Sequence, residues 1–121
     1  MAMAELKSET RDGVRFWAWH DDEGIEGVMG IQDRGDVELI RHAYVKTAKR
    51  NHGIGAALLS HLQAMTKKPI LVGTWAAATW AIRFYQQNGY RLLSPEETIP
   101  LLKKYWSISD RQIETSVVLA K

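Results

Sequence analysis

The 121-residue sequence contains no cysteine. This excludes disulfide frameworks, thiolate zinc sites, iron–sulfur clusters and a cysteine nucleophile, and it favours a cytoplasmic location. Long apolar runs are missing too. No segment without Lys, Arg, Asp or Glu, residues 69–82 included, reaches the about 20 apolar residues that span a bilayer. We therefore expect no membrane partner, and the first residues show no pattern of a secretory or organelle address.

An excess of either charge is also small. There are 16 Lys and Arg against 14 Asp and Glu, a formal net charge of +2, and this balance predicts no nucleic-acid partner. One short segment contains several basic residues and no acid: Lys46, Lys49, Arg50 and His52. That segment is a candidate anion site; as a nucleic-acid patch, it would require affinity that falls steeply with salt. No two histidines have metal-ligand spacing, so we expect no metal.

Hydrophobic periodicity and turn residues predict a single mixed domain. Strands are expected at residues 14–19, 27–32, 37–45, 70–72, 90–93 and 112–120. Helices are expected at residues 54–65, 78–88 and 95–106, the last beginning with a capping box at Ser94 and Glu97. The order βββαβαβαβ predicts an α/β (α+β) fold with a mixed, mostly antiparallel central sheet and helices on both faces. Residues 1–13 are expected to be extended or partly disordered.

Residues 45–56 join the third strand to a helix through Gly53 and Gly55. A helix N-terminus leaves about four backbone N–H groups without partners and carries a partial positive charge, so it favours a bound phosphate. Glycine allows the anion to approach the backbone closely. The spacing matches neither the nucleotide P-loop nor the dinucleotide motif. By itself, the pattern fits equally well a tight turn with a solvated basic flank.

Two motifs carry a family resemblance. Arg50-x-x-Gly53-x-Gly55-Ala56 resembles the pyrophosphate loop of the GNAT superfamily of N-acetyltransferases. Ala81-Ile-Arg-Phe-Tyr85-Gln-Gln-Asn-Gly89-Tyr90 is similar to the stretch that follows the fifth strand in that superfamily. The element order also resembles the superfamily after its first strand and first two helices. The resemblance covers residues 14–121 and implies a GNAT-type acyl-CoA N-acyltransferase fold that is shortened at its N-terminus.

The resemblance implies an enzyme that transfers an acetyl group from acetyl-CoA, its co-substrate, to a primary amine of a small molecule or peptide. It places acetyl-CoA between the strands at 37–45 and 70–74, with the thioester beside the backbone N–H of Val45. The pyrophosphate would bind the amides of residues 51–56. The implied cofactor-binding residues are Tyr44, Val45, Arg50, Asn51, His52, Gly53, Ile54, Gly55, Ala56, Ala78, Ala81, Phe84 and Tyr85.

Three residues are candidates for proton transfer. Tyr85 matches the acid that protonates the leaving thiolate, and a phenol of pKa about 10 suits a thiol of about 8.5; the alternative is a core aromatic residue. Glu38 and His42 share strand parity and are predicted to project from one face, where either could act as general base. Glu38 could equally pair with Arg41, and His42 could be a hydrogen-bonded core residue.

Two departures from the superfamily pattern affect function. Ala78 stands where the superfamily often has an Asn that binds pantetheine, so Thr79 or Thr74 would replace that contact. Only about a dozen residues precede the strand at Val14, too few for the missing strand and helices. The exposed strand edge that this leaves predicts a homodimer. A non-catalytic or truncated CoA-binding module is the alternative function.

Overall fold

The computed structural model describes residues 2–6, 13–22, 24–46 and 53–121. The chain divides into a first unit, Met1–Lys68, and a second unit, Pro69–Lys121. The first unit contains β1 Ala2–Leu6, β2 Val14–Asp21, β3 Gly24–Asp33, β4 Glu38–Val45 and α1 Ile54–Ala64. The second unit contains β5 Ile70–Trp75, α2 Thr79–Gln87, β6 Arg91–Leu92, α3 Pro95–Tyr105, α4 Asp110–Glu114 and β7 Ser116–Ala120. No helix among the described residues is long and apolar enough to cross a membrane.

The four strands of the first unit form an antiparallel array in the order β1-β2-β3-β4. This confirms the three consecutive strands predicted for β2 to β4. Strand β1 pairs with β2 from Ala2 opposite His20 to Leu6 opposite Phe16. The sequence predicts only an extended or partly disordered segment there, because five residues are too few to establish an alternating pattern.

Helix α1 packs against β3 through a glycine. Its buried side chains are Ile54, Leu58, Leu59 and Leu62. A Cβ at Gly27 would lie 2.8 Å from Ile54 Cγ2 and 3.2 Å from Leu58 Cδ1, so the helix can approach this closely only over a residue without a side chain. The predicted apolar face extends to Met65, but Met65 is the exposed C-cap of the helix.

In the second unit, β7 lies between β5 and β6, and both pairings are antiparallel. Ile70, Leu71 and Val72 are all buried, as expected for a continuous apolar strand covered on both faces. Gly73 follows them because the Trp106 ring lies against the strand there. A Cβ at Gly73 would be 3.0 Å from Trp106 Cζ2.

Side-chain caps determine where the last helices begin. Ser94 accepts from the N–H of Glu97 at 3.2 Å, and Glu97 accepts from the N–H of Ser94 at 3.2 Å, which confirms the predicted capping box. A second capping box, formed by Ser109 and Gln112, starts α4. The prediction of a strand from residue 112 is therefore wrong at its beginning: α4 occupies Asp110–Glu114, and β7 begins at Ser116.

Candidate active site

An uncapped helix N-terminus forms the first part of the site. Gly53 is the N-cap of α1 with φ 77° and ψ 6°, and none of the described side chains caps the helix. The first intrahelical hydrogen bond runs from the N–H of Ala57 to the carbonyl of Gly53 at 2.9 Å. The first turn, which includes Ile54, Gly55 and Ala56, contains no acidic residue. Its free N–H groups and positive dipole end therefore favour a bound anion.

The segment before this helix is only partly described. Arg50, Asn51 and His52 lie outside the described residues, so their predicted roles stay predictions. Lys46 is the last described residue before them. Its backbone N–H donates to the Glu26 carbonyl at 2.9 Å, which extends the β3–β4 pairing by one residue.

Glu26 is a buried carboxylate beside this loop. Its side chain is 1% exposed, and its Oε1 atom lies 3.7 Å from Lys46 Nζ. Within the described part of the chain, neither carboxylate oxygen has a hydrogen-bond partner. Sequence reasoning missed Glu26 because it belongs to an acidic turn-like segment, and only the strand register reveals that Lys46 lies opposite.

Strand β4 contains a bulge at the position of the candidate base His42. Tyr44 pairs with Val28 and Arg41 with Gly30, so three steps along β4 match two along β3. His42 has φ 52°, and no other described residue besides glycines has a positive φ. Such a conformation is strained for a residue with a Cβ, and strain of this kind concentrates at functional sites. Sequence patterns do not reveal the bulge.

The bulge places Glu38 and His42 on opposite faces of β4. Glu38 lines a shallow cavity of about 170 Å³ with Arg15 and Met65, on the face that α1 covers. The His42 ring lies 5.8 Å from the ring of Phe16, on the other face. The prediction that the two side chains share a face is wrong, because a bulge reverses the alternation that parity assumes.

The two residues predicted to contact pantetheine lie at the end of β4. Tyr44 is 59% exposed, and Val45 is half-buried. Consecutive N–H groups of a strand point in opposite directions. The N–H of Lys46 points to β3, so the N–H of Val45 points away from β3.

Tyr85 is the buried residue of α2 in the second unit. Its side chain is 5% exposed, and burial alone raises the pKa of its hydroxyl to about 12. Phe84 contacts it edge-on with ring centroids 5.1 Å apart, and Tyr90 does so at 5.6 Å. The hydroxyl therefore stays protonated at neutral pH, as a proton donor requires.

The remaining predicted contacts surround the start of α2. Ala78 is its buried N-cap and supplies no side-chain hydrogen bond, whereas Ala81 and Phe84 are half-buried. Of the two possible replacements for the missing Asn, Thr79 is exposed and Thr74 half-buried. Among the described residues, no group of three or more His, Asp or Glu side chains could hold a metal ion.

Comparisons with protein-family models and with solved structures show which proteins this chain is similar to. Residues 12–92 match the family model described as an acetyltransferase (GNAT) domain. The chain is similar in structure to a GNAT family acetyltransferase from Elizabethkingia anophelis with acetyl-CoA bound: the TM-score is 0.73 at 17% identity, and the match covers 98% of this chain and 95% of that one.

Two further solved structures share the fold. The PaiA N-acetyltransferase of Thermoplasma acidophilum, in complex with coenzyme A, matches with TM-score 0.69 and 14% identity over 90% of this chain and 60% of its own. The ribosomal-protein-S18-alanine N-acetyltransferase of Escherichia coli matches with TM-score 0.65 and 14% identity over 92% and 70%. At these identities, the likeness establishes the fold alone.

Proposed function

Because the chain belongs to the GNAT acetyltransferase family, we propose that it transfers an acetyl group from acetyl-CoA to a primary amine of a small molecule or peptide. The observation that carries the proposal is the start of α1. Gly53 turns the chain with φ 77°, none of the described side chains caps the helix, and its first turn has no acid. This is the arrangement that a pyrophosphate requires of a helix N-terminus.

The anion would be held mainly by backbone groups. The amides of residues 51–56 would surround the pyrophosphate, with the Arg50 side chain contributing charge. A Cβ at Gly53 would meet nothing within 4 Å, so the positive φ, and not crowding, accounts for glycine there. Helix dipole and unpaired N–H groups act together at such a site.

The pantetheine arm would extend along Tyr44 and Val45. The N–H of Val45 points away from β3, so it can donate to the thioester carbonyl and stabilise the oxyanion. The exposed ring of Tyr44 offers an apolar surface beside the arm. Ala81, Phe84 and the N-cap Ala78 are proposed contacts from α2.

The proposed chemistry is direct transfer. A base first removes a proton from the acceptor ammonium; the freed lone pair attacks the thioester carbonyl carbon, and a C–N bond forms. The C–S bond then breaks, and sulfur leaves with the bonding pair. The Tyr85 hydroxyl protonates this thiolate; the second proton that leaves the nitrogen restores the Tyr85 hydroxyl, and the base releases the first proton to solvent. The net products are the amide, the thiol of CoA and one proton.

Geometry favours His42 over Glu38 as the base. Glu38 begins β4, and Val45 ends it. Seven residues of strand span about 23 Å, at about 3.3 Å for each residue. His42 is exposed and three residues from Val45, about 10 Å by the same measure, so it lies much closer to the proposed thioester position than Glu38 does.

The test combines binding with turnover. Acetyl-CoA at 100 times its Kd should stabilise the chain by about 2.7 kcal/mol, which raises the Tm by several degrees. Release of free thiol is then followed with a panel of small and peptide amines. A Tm shift with thiol release supports the proposal. A cooperative unfolding transition without any shift contradicts it.

A second candidate function is a non-catalytic CoA-binding module. The Ala78 N-cap favours it, since no side-chain hydrogen bond is made where the superfamily often has an Asn. This candidate predicts the same Tm shift with acetyl-CoA and with CoA, but no thiol release with any amine in the panel.

We also propose a homodimer in the cytoplasm. Strand β1 lies at the outer edge of the first unit, and an open strand edge favours pairing with a second chain. Light scattering on the eluting peak of a size-exclusion column distinguishes one chain from two. The absence of cysteine supports the cytoplasmic location, which a fluorescent fusion in cells tests.

A further inference from the structure

On the face of β3 that points away from α1, neighbouring atoms lie closely over Gly30. A Cβ at Gly30 would lie 3.0 Å from Phe16 Cε1, 2.9 Å from the Arg41 carbonyl oxygen and 2.8 Å from Val14 Cγ1. A side chain at this position would therefore clash with Val14 and with the backbone of β4, and it would press against the edge of the Phe16 ring. Because Gly30 has none, the Phe16 ring lies over β3 and reaches toward β4.

His42 lies beside the same Phe16 ring. The bulge turns this residue to the Phe16 side of β4, and the two ring centroids are 5.8 Å apart with an interplanar angle of 31°. Phe16 lies on β2 and His42 on β4, so the contact crosses an entire intervening strand. The neighbouring charge on this face, Arg41, donates from Nη1 to Gln32 Oε1 at 2.8 Å.

His42 is held in an unfavourable backbone conformation at this contact. A φ of 52° is costly for a residue with a Cβ, and glycine would adopt it freely. Stability alone thus favours glycine at position 42. At His42 the backbone is strained, while the imidazole is exposed to solvent and lies beside an aromatic ring. This combination is typical of a position where the side chain has a function.

We propose that Phe16 is a positioning residue for His42: its ring, seated over Gly30, fixes the direction in which the imidazole accepts the acceptor's proton. The inference rests on the proposed function, in which His42 is the base. In this proposal Phe16 acts on the imidazole and binds neither the acceptor nor acetyl-CoA. Its loss therefore lowers kcat and leaves the affinity for acetyl-CoA unchanged.

The chain offers a matched control on the opposite face. Trp17 and His61 form another aromatic–histidine pair, with ring centroids 4.2 Å apart. Trp17 neighbours Phe16 in β2, and His61 belongs to α1, away from His42. A substitution at Trp17 disturbs the same strand and the same kind of ring contact without touching the proposed base.

The experiment compares three variants of the full chain. Phe16→Leu should lower kcat about tenfold, as partial loss of a base that contributes about 100-fold or more, with an unchanged Kd for acetyl-CoA. Phe16→Tyr keeps the ring and should retain kcat within about twofold. Trp17→Phe should alter the Tm but not kcat. In a His42→Gln background, Phe16→Leu should have no further effect, because Phe16 acts through His42.

Nuclear magnetic resonance of the His42 ring protons supplies a readout independent of turnover, since the Phe16 ring current should shift them in the wild type and in Phe16→Tyr but not in Phe16→Leu. An active wild type whose Phe16→Leu variant retains kcat overturns this inference alone. A wild type that binds acetyl-CoA but releases no thiol overturns the proposed transfer and this inference together.

Discussion

The main-chain N–H of Tyr90 donates to the carbonyl of Tyr85 at 3.0 Å, and the two rings meet edge-on with centroids 5.6 Å apart. Gly89 makes this return possible with φ 90° at the end of α2. Lys121 holds the turn from outside, with Nζ 3.3 Å from the Asn88 carbonyl oxygen and 5.7 Å from the Tyr90 ring centroid. The proposed acid is thus fixed by its own backbone turn.

Tyr85→Phe should remove the proton donor while preserving this packing. We expect kcat to fall about 100-fold, the lower end of the effect of a general acid, with an unchanged Kd for acetyl-CoA. The measurement is thiol release at saturating amine. Tyr90→Phe, which removes the hydroxyl of the other ring that contacts Tyr85, is the control and should lose far less. Retention of wild-type kcat in Tyr85→Phe would exclude Tyr85 as the acid.

Alkaline pH should destabilise the second unit through the same tyrosine. Burial raises the pKa of Tyr85 to about 12 from an ordinary 10.0, so the folded state keeps its proton where the unfolded chain has lost it. The stabilisation is present below pH 10 and is lost between about pH 10 and 12, by about 3 kcal/mol for two pKa units. Burial, with Tyr85 nearby, also raises the pKa of Tyr90.

Urea unfolding at several pH values measures this loss. Tyr85→Phe should make the fall in the free energy of unfolding between pH 10 and 12 less steep, because phenylalanine does not ionise. An equally steep decline in Tyr85→Phe and in the wild type would show that other groups cause it.

The elements of this fold were predictable wherever one local pattern determined them. Apolar spacing located α1, and the Ser94 and Glu97 side chains located the start of α3. The start of α4 was missed, although Ser109 and Gln112 form the same kind of cap. Thr, Ser and Val follow within a few residues, and their strand preference concealed the short helix.

The site was predictable to a smaller extent, because much of it depends on strand register. The glycines at 53 and 55 stand in a motif, but Gly27 and Gly30 are explained only by what approaches them across the sheet. The bulge that separates Glu38 from His42 and the position of Glu26 opposite Lys46 depend in the same way on pairing between distant residues. A single sequence does not encode that pairing in a local pattern.

Gly53→Ala tests the helix start, and the chain supplies a matched control. Gly53 and Gly35 both have positive φ, 77° and 92°, and a Cβ at either position would meet nothing within 4 Å. Alanine should therefore cost about 1–2 kcal/mol at each from backbone strain alone. Only Gly53→Ala should also weaken acetyl-CoA binding, by about tenfold, because only Gly53 adjoins the proposed anion site.

Thermal unfolding and calorimetric titration separate the two effects. Similar losses of Tm in the two variants, with a raised Kd in Gly53→Ala alone, are the expected result. A raised Kd in both variants would assign the loss of binding to general destabilisation. Unchanged binding in Gly53→Ala would contradict a pyrophosphate site at the N-terminus of α1.

Substitution of Lys46 should destabilise the protein more than substitution of its ion-pair partner Glu26. Lys46→Met leaves a carboxylate that is 1% exposed without its cation, and an unpaired buried charge is strongly destabilising. Glu26→Gln removes the buried charge and leaves the lysine, about half exposed, in water. We expect a loss of about 2 kcal/mol for Lys46→Met, discounted for the exposure of the lysine, and a smaller loss for Glu26→Gln.

The double variant determines whether the pair accounts for these losses. If burial of an unpaired charge causes the cost of Lys46→Met, then Glu26→Gln should reverse part of it, and the double variant should be more stable than Lys46→Met alone. Urea unfolding of the four chains measures the coupling. Additive losses would show that the Lys46 side chain stabilises the end of β4 through contacts that do not involve the Glu26 carboxylate.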